Sequence, residues 1–364
     1  MTRWPIALLV AIMAAGAPAG APADAAENLP APGFEIDQTR SNNYRGVREF
    51  RADYRGPLFD VQAHIRRPKD DRDDYLKNVM GVMARAGVSR MLVMATPNEG
   101  RRENHEKDAD YRRRLAGMSG GRIQVMCGGN YSYWMHRAWR DGYSKSELAK
   151  ILDRLGRAII AGKCVGLGEI GLYHFNKNGR QAVISYPPNF EPFVKLIGVA
   201  AANDVWVILH AEPVTPDGES CEARVFGALA LLYARYPRLK LILAHSGMTN
   251  VANARRILGL YPGLVLDFKT IHRKKHKHWR NLEPINDSSL RLFEDWAKLM
   301  EEMPDRFIAE TDAKFGRISR YPLSRYDTET GRLRAVLGSI DPKAARMIAF
   351  DNAARMFGSV RRGP

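Results

Sequence analysis

From residue 58 onward one unit repeats eight times: a short β-branched or apolar run, then a longer amphipathic stretch. The strand-like runs are 58–64 (LFDVQAH), 90–95, 122–127, 164–169 (CVGLGE), 205–210 (VWVILH), 239–245 (LKLILAH), 263–268 and 306–312 (RFIAETD). Helices are expected near 74–86, 105–117, 144–161, 188–203, 221–236, 249–260, 288–302 and 342–357. Leu148, Ile151, Leu152, Leu155 and Ile159 recur at helical spacing. Ser144 and Asn250 stand where N-caps belong, and Pro342 where a first turn begins. Nearly continuous apolar strands suit a parallel sheet covered by helices. Eight such units predict an α/β fold of the (β/α)8 TIM-barrel type, with eight parallel strands. An open doubly wound sheet would carry a glycine-rich nucleotide turn after its first strand, and VQAHIRRP is not one.

Polar residues gather at one place in this pattern, the C-terminal ends of the strands. The fourth strand ends at Glu169, the fifth at His210, the sixth at His245 and the eighth at Asp312. The first ends Asp60-Val61-Gln62-Ala63-His64, and strict alternation would put Asp60, Gln62 and His64 on one face. In an α/β barrel this end carries the active site. One histidine at a strand end is ordinarily structural. Glu, His, His and Asp at four strand ends call for compensation, and a shared metal ion supplies it. Imidazoles with carboxylates suit one divalent transition metal, zinc first, with manganese or iron as alternatives.

Five fragments appear in order across the chain: GEIGL at 168–172, ILHAE at 208–212, LAHSGM at 243–248, AETDA at 309–313 and DNAARMFG at 351–358. In these the chain resembles the amidohydrolase superfamily, including its amidohydrolase-related and TatD-type branches. The resemblance implies a metal-dependent hydrolase in which Glu169, His210 and His245 hold the metal. Asp312 would bind it as well, accept the proton of the attacking water and pass it to the leaving group. The bond attacked would be an amide, ester, lactone or phosphoester. The family's first strand carries His-x-His, and here it reads Gln62-x-His64. A carboxamide oxygen is a poorer zinc ligand than imidazole. The expectation is therefore a single metal, with His64 as a further ligand, Gln62 as a weak ligand or lining group, and Asp60 as an orienting neighbour. Two alternatives are a TatD-like nuclease or phosphodiesterase, and an inactive barrel acting as a periplasmic binding protein.

The flanks have a different character. Arg3, the uncharged run from Ile6 to Ala17 and Ala23-Asp24-Ala25 read as a cleaved signal peptide over 1–25. That run is shorter than the roughly 20 residues of a membrane span, and the expectation is a periplasmic or secreted protein. Residues 26–57 form a leader, 58–358 the barrel and 359–364 a tail. The three cysteines, Cys127, Cys164 and Cys221, permit at most one disulfide in an oxidising compartment and leave one thiol over. Cys127 and Cys164 lie in strand runs, where the plainer reading is small buried hydrophobes. No paired-cysteine metal spacing occurs, and no feature marks an oligomer interface.

The net charge of +16 favours an anionic partner. His272 to Arg280, after the seventh strand, contains Lys274, Lys275 and Lys277 and no acid, and Arg317 lies in the loop after the eighth. These residues are candidates for binding a small anionic substrate. Nucleic acid is the polymeric alternative, with Tyr131, Tyr133, Trp134 and Trp139 available for stacking, although YSYWMHRAW reads better as a lid over a small substrate. Replacing Lys274, Lys275 and Lys277 together by alanine is expected to raise KM for an anionic substrate about tenfold and flatten its ionic-strength dependence. Unchanged KM and salt response would remove these lysines from the site.

Overall fold

In the computed structural model the strands pair into a closed ring. The structure describes residues 33–37, 46–67, 74–97, 105–175, 183–215, 217–270, 285–287, 289–315 and 324–358. The expected signal and tail, and Lys274, Lys275, Lys277 and Arg317, lie outside these residues. The barrel strands are β1 (Leu58–Ile65), β2 (Val88–Met94), β3 (Ile123–Val125), β4 (Gly166–His174), β6 (Trp206–Ala211), β7 (Leu241–Leu243), β8 (Leu264–Phe268) and β9 (Phe307–Ala309). A two-residue β5 (Ile184–Ser185) pairs antiparallel with β4, and β10 (Ala313–Phe315) continues the line of β9.

Parallel pairing runs β10-β1-β2-β3 and β4-β6-β7-β8-β9. The seam between β3 and β4 is closed by backbone bonds: Val165 N–H to Val125 O at 2.8 Å, Cys127 N–H to Gly166 O at 2.9 Å and Gly168 N–H to Cys127 O at 2.6 Å. The other seam closes because the eighth strand, interrupted at 310–312, resumes as β10 and pairs with β1. All eight predicted strands are therefore present.

A disulfide joins Cys127 to Cys164 across the first seam, with Cα atoms 5.5 Å apart. This is the one bridge that three cysteines permit, and both residues are also buried in the outer apolar layer. Parallel neighbours 37 residues apart in sequence come to bonding distance only once the sheet is formed. Cys221 remains free and buried.

Two apolar layers hold the ring. Phe59, Val61, Leu92, Met126, Ile208, Ile242, Val265 and Ile308 fill its interior, closed below by Ala353 and Phe357 of α11 (Asn352–Phe357). Outward strand residues pack against the helices in a second, larger layer. α4 (Lys145–Ile160) starts on a capping box formed by Ser144 and Glu147, and α7 (Val251–Leu260) starts on Asn250, whose side chain accepts from Asn253 N–H. Leader residues dock on this surface: Asp37 O accepts from Asn250 and Asn253, and Arg48 N–H donates to Leu292 O.

Two helices are additions to the sequence expectation, α3 (Gly129–Asp141) and α9 (Ser324–Leu337). The first contains YSYWMHRAW, whose aromatic residues are middling helix formers, and a Gly-Gly pair opens it without a side-chain cap. β1 also departs from strict alternation. Leu58, Ala63 and Ile65 belong to the outer layer while Phe59 and Val61 face inward, so the parity changes between Val61 and Ala63, where the pairing with β2 shifts register.

Replacing Cys127 and Cys164 together by serine is expected to lower the unfolding free energy by about 3–4 kcal/mol, the loop-closure value for this separation. Urea melts of the double variant against the parent under oxidising conditions measure it. A midpoint unchanged from the parent would show that the strand pairing alone sets the seam's stability.

Candidate metal centre

Glu169, His210 and His245 come from β4, β6 and the turn after β7, and all three are buried. One ligand atom from each lies within 4.8 Å of the others. Glu169 Oε1 is 2.6 Å from His210 Nδ1 and 3.8 Å from His245 Nε2. Two further groups of donors overlap this trio: His174, His210 and Glu212, and His245, Asp267 and Glu310. Each takes in the opposite nitrogen of one trio imidazole. His210 Nε2 lies 3.3 Å from Glu212 Oε1, and His245 Nδ1 hydrogen-bonds Glu310 Oε1. Carboxylates behind metal-ligating histidines fix the ring and direct the free lone pair at the metal. The trio thus has the form of a ligand set, and the other two groups the form of its support.

The tautomer of His245 follows from a neighbour. Lys269, one residue beyond β8, places Nζ 3.2 Å from His245 Nε2. An ammonium group has no acceptor, so Nε2 receives the bond and Nδ1 carries the hydrogen that Glu310 accepts. The Nε2 lone pair that would hold a cation beside Glu169 therefore accepts from Lys269, and that bond gives way when the nitrogen becomes a ligand. His174 stacks on His210 with ring centroids 4.5 Å apart, and fixes the plane of that ring.

His64 Nε2 sits between Asp312 Oδ1 at 2.9 Å and Glu169 Oε2 at 3.5 Å. Lys269 Nζ donates to Asp312 Oδ2 at 2.6 Å, and the Lys314 ammonium lies 3.9 Å from Oδ1. The Asp312 side chain is 17% accessible against 2% for Glu169, which makes it the more open carboxylate. Gln62 is fully buried, and neither of its amide atoms has a hydrogen-bond partner. Asp60 stands apart from these groups. It accepts from Thr311 N–H at 3.0 Å, Thr311 Oγ1 at 2.7 Å and Tyr326 OH at 2.9 Å, and Tyr326 belongs to the outer layer. The expected common face of Asp60, Gln62 and His64 is lost to the register shift, and Asp60 acts on the residue before Asp312.

Burial and neighbouring charge set the protonation states. Burial alone would raise the Glu169 carboxyl, but His210 and His64 outweigh it and hold it below its usual range. Burial would lower His210, but Glu169 and Glu212 hold it above its ordinary value. Asp312 is kept well below the carboxylate range, against its burial, by the Lys269 and Lys314 ammonium groups and by His64. Asp267 is pushed up to about 8 by burial, and Glu310 is raised by burial and by Asp267 beside it. Both carboxyl groups are thus disfavoured as anions.

Five residues of this constellation are additions to the sequence reading: His174, Glu212, Asp267, Lys269 and Glu310. Alternation carries the signal for three of them. Glu212 lies two residues after His210, Glu310 two before Asp312, and Lys269 two after Asp267 at the end of a barrel strand. A cavity of about 480 Å³ lies at the opposite end, lined by Val165, Trp206, Lys240 and Phe357, and no residue of the centre lines it.

A carboxylate oxygen and two imidazole nitrogens, with each far ring nitrogen held by a carboxylate, fit a divalent metal ion. The model of the amidohydrolase family matches residues 23–359, and the chain belongs to that family. Among solved structures, 5-carboxyvanillate decarboxylase from Sphingomonas paucimobilis is similar with a TM-score of 0.50 and 13% identity, over 83% of this chain and 99% of that one. 4-Oxalomesaconate hydratase from Rhodopseudomonas palustris is similar with a TM-score of 0.50 and 11% identity, over 83% and 95%. At such identity the likeness carries the barrel fold. No curated protein matches the chain.

Asp60 offers a pH test. Burial raises its pKa to about 6, and the Tyr326 hydroxyl is one of the bonds that lowers it. A group raised in the folded state contributes stability that is present below its unfolded pKa and lost as pH rises through the folded value. Tyr326→Phe removes a bond that favours the ionised form, so Asp60 is raised further. The variant's stability deficit is expected to grow from under ~1 kcal/mol at pH 5 to about 2 kcal/mol at pH 8. Urea midpoints across that range measure it, and a deficit independent of pH would dissociate Tyr326 from the ionisation of Asp60.

Proposed function

We propose that this chain is a hydrolase working with one divalent metal ion, zinc first, held by Glu169, His210 and His245. The observation that carries this reading is the trio itself: both imidazoles turn a ring nitrogen to Glu169, and both have the other nitrogen held by a carboxylate. A divalent ion in such a site supplies Lewis acidity and lowers the pKa of water toward ~7. Asp312 takes the proton of the attacking water and returns it to the leaving group. His64 and Lys269 hold its two oxygens, which keeps it ionised and aimed. Glu212 and Glu310 fix the ligand rings, and buried apolar strands beneath exclude bulk water from the floor of the site.

The substrate we infer is a small carboxylate-bearing ester, lactone or amide. Two observations support it: Lys269 and Lys314 place positive charge beside the most open carboxylate, and two structural neighbours bear the names of enzymes for carboxylated compounds. Export to the periplasm or beyond is part of the proposal. The composition of residues 1–25 and the Cys127–Cys164 disulfide support it, since such bonds persist in oxidising compartments.

Protein purified with added Zn²⁺ or Mn²⁺ is expected to hold about one equivalent by elemental analysis, and chelation should abolish turnover of a panel of carboxylated lactones, amides and esters. His210→Ala is expected to lose the metal. Asp312→Asn is expected to keep it while turnover falls about 10²–10⁴-fold. Full occupancy in His210→Ala, or undiminished turnover in Asp312→Asn, would overturn the assignment.

A further inference from the structure

The strand-one side of the centre gathers ligand-type groups as well. His64 Nε2 lies 2.9 Å from Asp312 Oδ1 and 3.5 Å from Glu169 Oε2, and both carboxylates can carry negative charge there. A carboxylate–imidazole–carboxylate run beside the trio is what a second cation would use. That side already has a cation. Lys269 Nζ sits 2.6 Å from Asp312 Oδ2 and 3.2 Å from His245 Nε2, and its side chain is only 8% accessible.

We propose that Lys269 is the second cation of this site: its ammonium neutralises Asp312 from within the chain, and the centre therefore takes one divalent ion and excludes another. The inference rests on the reading of Glu169, His210 and His245 as a metal centre. Its physical basis is charge. A divalent ion entering between His64, Asp312 and Glu169 would face a buried ammonium group sharing the same carboxylate, and like charges at such separations repel strongly where water is excluded. The same group stands beside the trio, so it also sets how the trio's ion is held. Lys269 shares a hydrogen bond with the His245 nitrogen that faces Glu169. When that nitrogen ligates a metal, the ammonium is left to Asp312 alone.

A competing account assigns the loss of the second ion to Gln62, the position at which the family's first strand carries an imidazole. Two variants separate them. Gln62→His restores the imidazole and keeps the ammonium. Q62H/K269M restores the imidazole and removes the ammonium. Each protein is loaded with Mn²⁺, freed of excess by gel filtration, and read by elemental analysis and by the electron paramagnetic resonance spectrum, in which a spin-coupled pair differs from an isolated ion. The parent and Q62H are expected to hold about one equivalent each, and Q62H/K269M about two, with the coupled spectrum. Q62H/K269R, which keeps the charge, is expected to stay at one. Circular dichroism checks the fold, and Q62H/K269Q replaces the methionine variant if that one unfolds.

Two equivalents in Q62H would overturn the proposal, since the imidazole and not the ammonium would then decide the count. One equivalent in folded Q62H/K269M, or in Q62H/K269Q where it replaces that variant, would overturn it as well. Two equivalents in the parent would overturn this inference and leave the metal centre standing. No metal in the parent would overturn the metal centre and this inference together.

Discussion

Glu169 is the group on which the rest of the centre depends. It is a carboxylate with 2% of its side chain accessible, and its partners are imidazoles rather than a lysine or arginine. One oxygen faces His210 and His245, and the other faces His64. An ion this deeply buried is tolerated only where charge and hydrogen bonds repay its desolvation. The polar groups bonded around it can be placed by how they answer that need. The imidazoles meet the carboxylate, the outer carboxylates hold the imidazoles, and a divalent cation would balance the whole.

The charge inventory explains why the support has two different forms. Around the trio stand Glu212, Asp267, Glu310 and Asp312, all carboxylates, with Lys269 as the buried ammonium that bonds Asp312. Ionising all of them together would cost far more than the fold can supply. The molecule separates their states instead. Asp312, gripped by Lys269, is held ionised, while Asp267 and Glu310 are raised toward their neutral forms. Similar carboxyl groups pushed in opposite directions by their surroundings are a mark of functional sites. Here the ionised one is also the one open to the mouth.

How far this could be read from residues alone differs by kind of feature. Glu169, His210, His245 and Asp312 are legible because each ends an apolar strand, and the barrel brings strand ends together whatever lies between them. Glu212 and Glu310 are legible by the same alternation, two residues from a named neighbour, once the strands are treated as surfaces rather than end points. Asp60 shows where that rule fails. A register shift inside β1 reverses the face between Val61 and Ala63, and no local composition marks it. The Cys127–Cys164 bond is of a third kind. It depends on β3 and β4 being neighbours in a closed sheet, a fact of topology that spacing along the chain does not contain.

Asp60 and Asp267 then have a common purpose. His245 and Asp312 both adopt left-handed backbone conformations, with φ of 61° and 50°. For residues that carry a Cβ this costs about 1–3 kcal/mol each, and it persists only where surrounding bonds over-determine it. Asp267 accepts from the backbone N–H of His245. Asp60 accepts from both the N–H and the hydroxyl of Thr311, and Thr311 in turn accepts from Ala313 N–H, so the turn carrying Asp312 is held on both sides. Each strained residue is thus clamped by a buried carboxylate from an adjoining strand. A backbone bond to a charged carboxylate is worth about 1.5–3 kcal/mol and one to a neutral carboxyl about 0.5–1.5 kcal/mol, comparable with the conformational cost. Two buried aspartates that have no part in ligation are therefore what turns a ring nitrogen and a carboxylate toward the same point in space.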